Sequence, residues 1–222
     1  MVDEEGHADR RECPWLDGML PGPAALFALI RYYLSRLGVG PADTLVVMAD
    51  GARWIWKRVA EVVAHGGWRQ EPVDEVVDFY PVVEHLGMVA NAQAAWTEGY
   101  RRAWIKTQRR RLLTGHLGQV LDALAAVCRR KRSQVRQREY RYFHHHRHRL
   151  NYATLKANHL PIGSGAVESA IRRVVNLRLK GAGLFWHEAT AQAMLMLRSY
   201  YTAGRWELLK KLAFFPTLPL AA

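Results

Sequence analysis

Two short apolar runs decide the fold: TLVVMAD at residues 44–50 and DEVVDFY at residues 74–80. Each run carries an acid at or near its end, Asp50 or Asp78. TLVVMAD is a short apolar run, which is typical of a buried strand, and DEVVDFY is predicted to be a second buried strand. Between them, ARWIWKRVAEVVAHGG returns to an apolar spacing of three and four, which predicts a helix. A strand, a helix and a second strand in this order predict parallel strands in an α/β layer.

The flanking segments favour helices. PAALFALIRYYLSRLG at residues 23–38 has helical spacing and stops at a glycine. After Pro81 and up to about Arg149 no further strand is evident, only helical spacing and charge. We therefore predict three segments: an α/β part at residues 1–80, a basic helical insertion at residues 81–155 and a helical C-terminal part at residues 156–222.

The charge of the chain is concentrated in the predicted insertion. The 222 residues include 32 Lys and Arg against 20 Asp and Glu, which gives a net charge of +12 with neutral histidines. Residues 101–150 hold 15 of the basic residues and only two acids, Asp122 and Glu139, so the remainder is nearly neutral. Such a basic module predicts a polyanionic partner, either nucleic acid or an anionic membrane surface.

Nucleic acid is the favoured partner. A solvated helix face is the ordinary explanation of a charge run, but the acids that would pair with these arginines are almost absent. The arginine-rich helices also lack the broad apolar face that binds a membrane surface. The aromatic residues among them, Trp104, Tyr140, Tyr142 and Phe143, could stack on unpaired bases. The residues of this module predicted to bind nucleic acid are Arg109, Arg110, Arg111, Arg129, Arg130, Lys131, Arg132, Arg147 and Arg149.

Other motifs give weaker signals. His144 and His148 are four residues apart and could share a metal on one helix face, but no nearby Cys or carboxylate completes a ligand set, so a phosphate-facing surface is favoured. Cys13 and Cys128 match no metal or redox spacing and predict reduced structural thiols. The acidic start MVDEEG is not a leader, and no run is long enough to span a membrane, so we expect a cytoplasmic protein without membrane contact.

One acid stands out in LPIGSGAVESAIRRVVNLRLKGAG, residues 160–183. Ser164 predicts a helix N-cap, which places Glu168 in the first turn, where the helix dipole favours a carboxylate. Polar residues then follow Glu168 at four-residue spacing. The residues of this helix predicted to contact phosphates are Arg172, Arg173, Asn176 and Lys180. An acid heading such a stripe would repel DNA unless a divalent cation lay between them.

A metal held by two carboxylates would resolve this conflict. Mg²⁺ binds one or two protein carboxylates together with phosphate oxygens, and two such ions can assist phosphoryl transfer. Asp50, at the end of a predicted buried strand, is the natural partner of Glu168. The alternative for Asp50 is a capping acid at the turn from strand to helix, with Gly51 making the turn.

Three blocks of sequence together resemble a bacterial insertion-sequence transposase of the DDE type: MADGARWIWK, VVDFYPVVEHL and YFHHHRHRLNYATLKANHLPIGSGAVESAIRRVVNLRLKGAGLFW. The resemblance runs from about Leu26 to Lys211. It implies a partial ribonuclease-H-like core interrupted by a large all-helical insertion. It also implies DNA cleavage and strand transfer with Mg²⁺ or Mn²⁺, two ions in an active enzyme, acting on element ends and target DNA, and a homo-oligomer. Asp50 matches the second catalytic aspartate and Glu168 the catalytic glutamate, so both are expected catalytic residues and metal ligands.

The chain departs from the pattern of this family at two places. The family places its first catalytic aspartate on a strand before the helix at residues 23–38, and only about twenty residues precede that helix here, so we expect this strand to be missing and the chain to be N-terminally truncated. Where related transposases carry Asp-x-x-His, the chain has Asp78 and then Pro81, with Glu84 and His85 nearby as accessory candidates. The alternative function is therefore a catalytically inactive transposase remnant that binds DNA only.

Overall fold

The computed structural model describes residues 16–20, 22–36, 45–65, 73–129 and 133–214. Helices dominate these ranges, beside a small parallel sheet of two strands. The contacts divide the chain into two compact units, residues 34–164 and residues 1–33 with 165–222. In chain order the elements are α1 (Pro23–Arg36), β1 (Leu45–Ala49), α2 (Arg53–His65), β2 (Val73–Val77), α3 (Phe79–Asn91), α4 (Glu98–Leu113), α5 (Leu117–Arg129), α6 (Gln134–His146), a 3₁₀ turn (Arg147–Arg149), α7 (Tyr152–Ala157), α8 (Gly165–Ile171), a π-helical segment (Arg172–Asn176), α9 (Leu177–Leu179), α10 (Glu188–Thr202) and α11 (Trp206–Phe214).

The sheet confirms the predicted strand, helix and strand. β1 and β2 pair in parallel, from Leu45 opposite Val73 to Ala49 opposite Val77, and α2 lies between them in the chain. The crossover is needed because the end of one parallel strand lies a full strand length from the start of the next. The fold is therefore mixed α/β, as expected, with helices in the majority.

The second strand is shorter than the sequence predicted. β2 ends at Val77, and Phe79 and Tyr80 already belong to α3. Asp78 is the N-cap of α3, and its carboxylate accepts a hydrogen bond from the Tyr80 amide. An acid in this position supplies an acceptor to a first-turn amide that has no partner in the helix. Pro81 is tolerated because it also lies in that first turn.

The core of the unit formed by residues 34–164 is built by α3, α4, α5, α6 and α7 against β2. Its fully buried side chains include Val77, Val82, Leu86, Leu112, Leu124, Phe143 and Tyr152. The Tyr152 hydroxyl donates to the Val77 carbonyl at 2.8 Å, which satisfies a polar group in the interior. Phe143 and Trp104 are core side chains, so the expectation that these two stack on bases is wrong.

The other unit is held around α10. Leu195 and Ser199 of this helix are buried. The Arg205 guanidinium donates to the Tyr33 hydroxyl at 2.9 Å and lies 3.3 Å from a carboxylate oxygen of Asp17. Burial nevertheless raises the pKa of the Asp17 carboxyl, with the Arg205 charge acting in the opposite direction. This polar network ties the residues before α1 to the end of α10.

Candidate functional site

Two aspartates directly follow the paired ends of the sheet. Ala49 and Val77 are opposite each other in the parallel register, so Asp50 and Asp78 leave the sheet at the same edge. The backbone confirms their proximity, since the Asp78 amide donates to the Ala49 carbonyl at 2.9 Å. The carboxyl edge of parallel strands is where α/β proteins place ligand-binding residues. This edge is therefore the candidate site.

Asp50 is exposed, and only one of its two carboxylate oxygens has a hydrogen-bond partner among the described residues. Its Oδ1 accepts a hydrogen bond from the Ala52 amide at 2.9 Å, so it does cap the turn into α2, as the alternative interpretation held. Its Oδ2 has no hydrogen bond or ion pair with any residue in the described parts of the chain. The capping role therefore leaves one carboxylate oxygen for a ligand.

Gly51 makes a close approach possible at this turn. A Cβ atom placed there would overlap Cε2 of Tyr142. The Tyr142 ring therefore packs directly on the backbone that follows Asp50. Burial raises the pKa of the Tyr142 hydroxyl, and the charges of Asp50, Glu139 and Asp78 raise it further. Three carboxylates thus act electrostatically on one ring.

Asp78, in contrast, is buried and fully engaged. It is 3% exposed. Its Oδ1 accepts from the Tyr80 amide at 2.9 Å, and its Oδ2 accepts from the Ser164 amide at 2.9 Å and from the Ser164 hydroxyl. The Phe79 amide also donates to the Ile162 carbonyl at 3.0 Å. Asp78 is thus a clamp that holds the loop preceding α8.

The clamp explains the glycine of the loop. A Cβ on Gly163 would lie 2.8 Å from Cε2 of Tyr80, so a larger residue there would have to displace the exposed Tyr80 ring for the loop to reach Asp78. Ser164 directly precedes α8, as predicted, but its hydroxyl is hydrogen-bonded to Asp78. The sequence signal attributed to helix capping therefore also serves a contact across 86 residues of chain.

A buried carboxylate on α6 completes the surroundings of Tyr142. Glu139 is 0% exposed and is bonded to Nδ1 of His85 and, at 2.7 Å, to Nε of Arg138. The His85 ring stacks on Tyr142 with centroids 3.7 Å apart. Glu139 was not predicted as a site residue. The signal in the sequence was its position on one face of a basic helix, between Arg136 and Phe143, which the fold buries.

His146 lies on the same face of α6. It is 2% exposed, and its ring centroid is 4.8 Å from that of Tyr142. Burial lowers its pKa to about 4, with the charges of His145 and Arg149 acting in the same direction and a hydrogen bond to the Gly51 backbone opposing them. Its Nδ1 has no hydrogen-bond partner within the described part of the chain. His146 is therefore a neutral core imidazole, distinct from the exposed His144 and His148.

Glu84, the third accessory candidate, is exposed on α3. It has no hydrogen bond or ion pair with another described residue. Of the three accessory candidates, Asp78 and His85 therefore lie in the surroundings of Tyr142. The charge of Asp78 acts on the Tyr142 hydroxyl, and the His85 ring stacks on the Tyr142 ring.

Glu168 lies in the first turn of α8, as predicted, and is exposed. The stripe after it is less regular than its four-residue spacing suggested. Arg172, Arg173 and Asn176 belong to a π-helical segment, and Lys180 lies beyond the end of α9. All four are exposed, but a π turn holds more residues than an α turn, so they do not form one straight row. Glu168 and Asp50 belong to different units, and their sharing a metal stays a prediction.

The arginines of the insertion differ in what surrounds them. Arg109 and Arg110 are exposed on α4, and the Arg109 guanidinium lies 5.6 Å from the ring centroid of Phe79. Arg111 donates to Gln108 at 3.1 Å, and Arg147 donates to the His144 carbonyl at 2.9 Å. The side chain of Arg129 and the whole of Arg130, Lys131 and Arg132 lie outside the described residues.

Arg149 has structural partners. Its guanidinium lies 2.6 Å from a carboxylate oxygen of Glu75 and 4.3 Å from the ring centroid of Trp56. Both partners belong to the strand and helix beside the candidate site. Its contact with nucleic acid stays a prediction, and its main visible role is to pin the 3₁₀ turn to the sheet.

No family model, curated protein or solved structure matches the chain.

The described ranges contain neither a cluster of metal-ligand side chains nor a membrane-spanning helix. No three His, Cys, Asp or Glu side chains among them are grouped to hold a metal ion. Within the same residues, no helix is both long enough and apolar enough to cross a bilayer. Cys128 carries a free thiol, whereas Cys13 lies outside the described residues.

Proposed function

We propose that the chain is a DNA transposase of the DDE type, or the greater part of one, with residues 1–80 and 156–222 contributing to a ribonuclease-H-like core. The observation that carries this proposal is the carboxylate of Asp50, which lies at the carboxyl edge of parallel strands and has one oxygen without a hydrogen-bond partner among the described residues. The exposed arginines of α4 belong to the same unit. A carboxylate and a basic surface are the two parts needed to hold a metal ion and a phosphate backbone together.

The chemistry of the donors fits Mg²⁺ or Mn²⁺ at Asp50 and not at Asp78. Hard carboxylate oxygens are the ligands these ions prefer, and Asp50 Oδ2 is available. Both oxygens of Asp78 are occupied by backbone amides and a hydroxyl. Asp50 would therefore be a metal ligand in this chain, and the resemblance to DDE transposases would make Glu168 a second ligand. When bound, the metal would polarise the scissile phosphate and the attacking water.

Arg109 and Arg110 would neutralise phosphates of the bound DNA. Arg110 is the better of the two for a test of DNA binding, since its side chain has no ion pair with any other residue that the structure describes. On the same helix, Arg102 is also exposed but is paired with Glu98 at 2.8 Å. The two arginines form a matched comparison: a free charge and a compensated one on α4. DNA as substrate would place this activity in the cytoplasm.

Binding is tested by the anisotropy of a labelled DNA duplex at increasing salt. Each phosphate contact contributes about −0.9 to the slope of log affinity against log salt. We expect Arg110→Ala to make the slope shallower by about one phosphate contact. Arg102→Ala serves as the control and should change it less. Equal slopes for the wild type and Arg110→Ala would remove this residue from the interface, and the absence of salt-dependent binding would refute DNA binding.

Chemistry is tested by nicking of supercoiled DNA with Mg²⁺ or Mn²⁺. We expect Asp50→Asn and Glu168→Gln each to abolish nicking, whereas Asp74→Asn, an exposed acid on β2, should retain it. Nicking that is unchanged in the first two variants would reject their catalytic assignment. A chain that binds DNA but never nicks it would be the inactive remnant, which the engagement of Asp78 in a structural clamp favours as the second candidate.

A further inference from the structure

Glu139 is a charge in an unusual place. Its side chain is 0% exposed, and moving a lone carboxylate out of water costs several kcal/mol unless cations and hydrogen bonds compensate it. The adjacent residue Arg138 is one such partner: its side chain is exposed, and its guanidinium lies 2.7 Å from a carboxylate oxygen of Glu139. The second partner is the imidazole of His85, which comes from α3. The charge of Arg138 alone would neutralise the Glu139 carboxylate, so the contact with His85 is an additional one.

The same contact fixes the orientation of the His85 ring. Nδ1 is bonded to Glu139, and one ring face is stacked on Tyr142 with an interplanar angle of 25°. Nε2 then has no hydrogen-bond partner among the described residues. The His85 side chain is 25% exposed, so a small ligand can reach it. A carboxylate on one imidazole nitrogen is the usual device for presenting the other nitrogen to a ligand.

The ring lies beside the candidate site. Tyr142 has His85 on one side and the backbone of Gly51 in close contact. The charges of Asp50 and Asp78 both act on the Tyr142 hydroxyl. One aromatic ring therefore connects the carboxyl edge of the sheet to the oriented imidazole.

We propose that His85 is a phosphate-contacting residue at this edge and that Glu139 is its positioning residue. In the protonated ring, Nε2 donates a hydrogen bond to a non-bridging oxygen of a DNA phosphate, while Glu139 accepts a hydrogen bond from Nδ1–H and stabilises the positive ring. This assignment rests on the proposed function and names one contact of the substrate with it. The competing explanation is a purely structural pair that joins α3 to α6.

The test is nuclear magnetic resonance of the full chain with ¹⁵N-labelled histidine. The probe is a DNA trinucleotide, which is too short to occupy the arginines of α4 as a duplex would. His85 is assigned by the loss of its signals in His85→Gln. The control is His116, which is exposed between α4 and α5 and contacts Thr114 at 2.9 Å. We expect the trinucleotide to move the Nε2 signal of His85 and to leave that of His116 in place.

Two variants add an affinity measurement. His85→Gln removes the charged donor, and we expect about a tenfold weaker affinity for the trinucleotide. Glu139→Gln keeps an acceptor for Nδ1 but removes the charge behind the ring, so we expect a smaller loss and a displaced resting Nε2 signal. His116→Gln should bind like the wild type. If His85→Gln fails to fold, His85 is assigned instead as the histidine whose resting Nε2 signal Glu139→Gln displaces, and the wild-type signals then decide the question.

The outcomes separate this inference from the proposed function. Salt-dependent duplex binding with a stationary His85 signal overturns the phosphate contact and leaves DNA binding intact. A moving His85 signal without duplex binding supports a phosphate site and counts against the transposase proposal. Stationary signals and no duplex binding refute both.

Discussion

Replacing Asp78 by Asn should destabilise the unit of residues 34–164 strongly, although the side chain keeps its size. The carboxylate accepts three hydrogen bonds, one from the Tyr80 amide and two from Ser164. Asn has a single acceptor oxygen, and its amide group would face at least one N–H or O–H donor. Each bond to a charged group contributes about 1.5–3 kcal/mol, and a buried donor left without a partner costs about 1–3 kcal/mol.

The loss of one acceptor oxygen therefore predicts a decrease of about 3 kcal/mol in the free energy of unfolding. With a urea m-value of about 2–3 kcal/mol per molar for a chain of this size, the midpoint should fall by roughly 1–1.5 M. The assay is urea unfolding followed by tryptophan fluorescence. Hydrogen exchange of the Ser164 amide gives a local measurement, because this amide donates to Asp78 and should lose its protection.

The matched control is Asp74→Asn, which changes an exposed acid on β2, the strand that precedes Asp78. We expect it to shift the midpoint by no more than the value equivalent to about 0.5 kcal/mol. The reasoning is refuted if Asp78→Asn and Asp74→Asn unfold at the same urea concentration, or if the exchange of the Ser164 amide is unchanged. Either result would mean that Asp78 is not the clamp that these contacts describe.

Three further changes have predictable directions. Gly51→Ala should destabilise by about 1–3 kcal/mol in urea unfolding, because the new methyl group overlaps the Tyr142 ring. The pKa of His146 is about 4 in the folded chain and about 6.5 in the unfolded chain. The contribution of the neutral ring to the free energy of unfolding is therefore complete above pH 6.5 and is lost as the pH falls towards 4. His146→Gln should remove this pH dependence, which amounts to up to about 3 kcal/mol. Arg149→Lys should cost about 1 kcal/mol, because lysine cannot both pair with Glu75 and stack on an indole.

Each of these has its own contradiction. Gly87→Ala, where nothing lies within 4 Å of the new methyl group in α3, should be neutral or stabilising, and a Gly51→Ala variant that behaves the same way would disprove the overlap. Equal slopes of stability against pH from 6.5 to 5 in wild type and His146→Gln would mean that this ring is not held neutral. An Arg149→Lys variant that unfolds at the same urea concentration as the wild type would mean that the contacts with Glu75 and Trp56 do not stabilise the fold.

Much of the fold could be read from local patterns. The two apolar runs with a helical run between them predicted the parallel pair. The end of β2 was placed three residues too late, because Phe79 and Tyr80 are apolar enough to extend a strand pattern. What stops the strand is the capping of α3 by Asp78, which a period of two does not reveal.

The candidate site was accessible only in part. Asp50 and Asp78 could be placed at one sheet edge, since parallel strands end together. The contacts of Glu139 with His85 and of Asp78 with Ser164 could not, because they join residues 54 and 86 positions apart. Charge counting treated Glu139 as one of two acids in a basic stretch, whereas the fold turns it inward and makes it the anchor of an imidazole.

The two aspartates of this edge show why burial has to be known before a role is assigned. Both follow an apolar strand, and their sequence signals are nearly the same. One is exposed with a single oxygen occupied, and the other is buried with both oxygens occupied. Asp50→Asn should therefore leave the unfolding midpoint almost unchanged, since the retained oxygen can still accept from the Ala52 amide, whereas Asp78→Asn should lower it. A loss of nicking in Asp50→Asn can then be assigned to the site itself, while the same loss in Asp78→Asn would follow from the loosened loop. If Asp50→Asn unfolds as early as Asp78→Asn, its carboxylate has a structural role that the Ala52 contact does not account for, and its assignment as a metal ligand loses its main support.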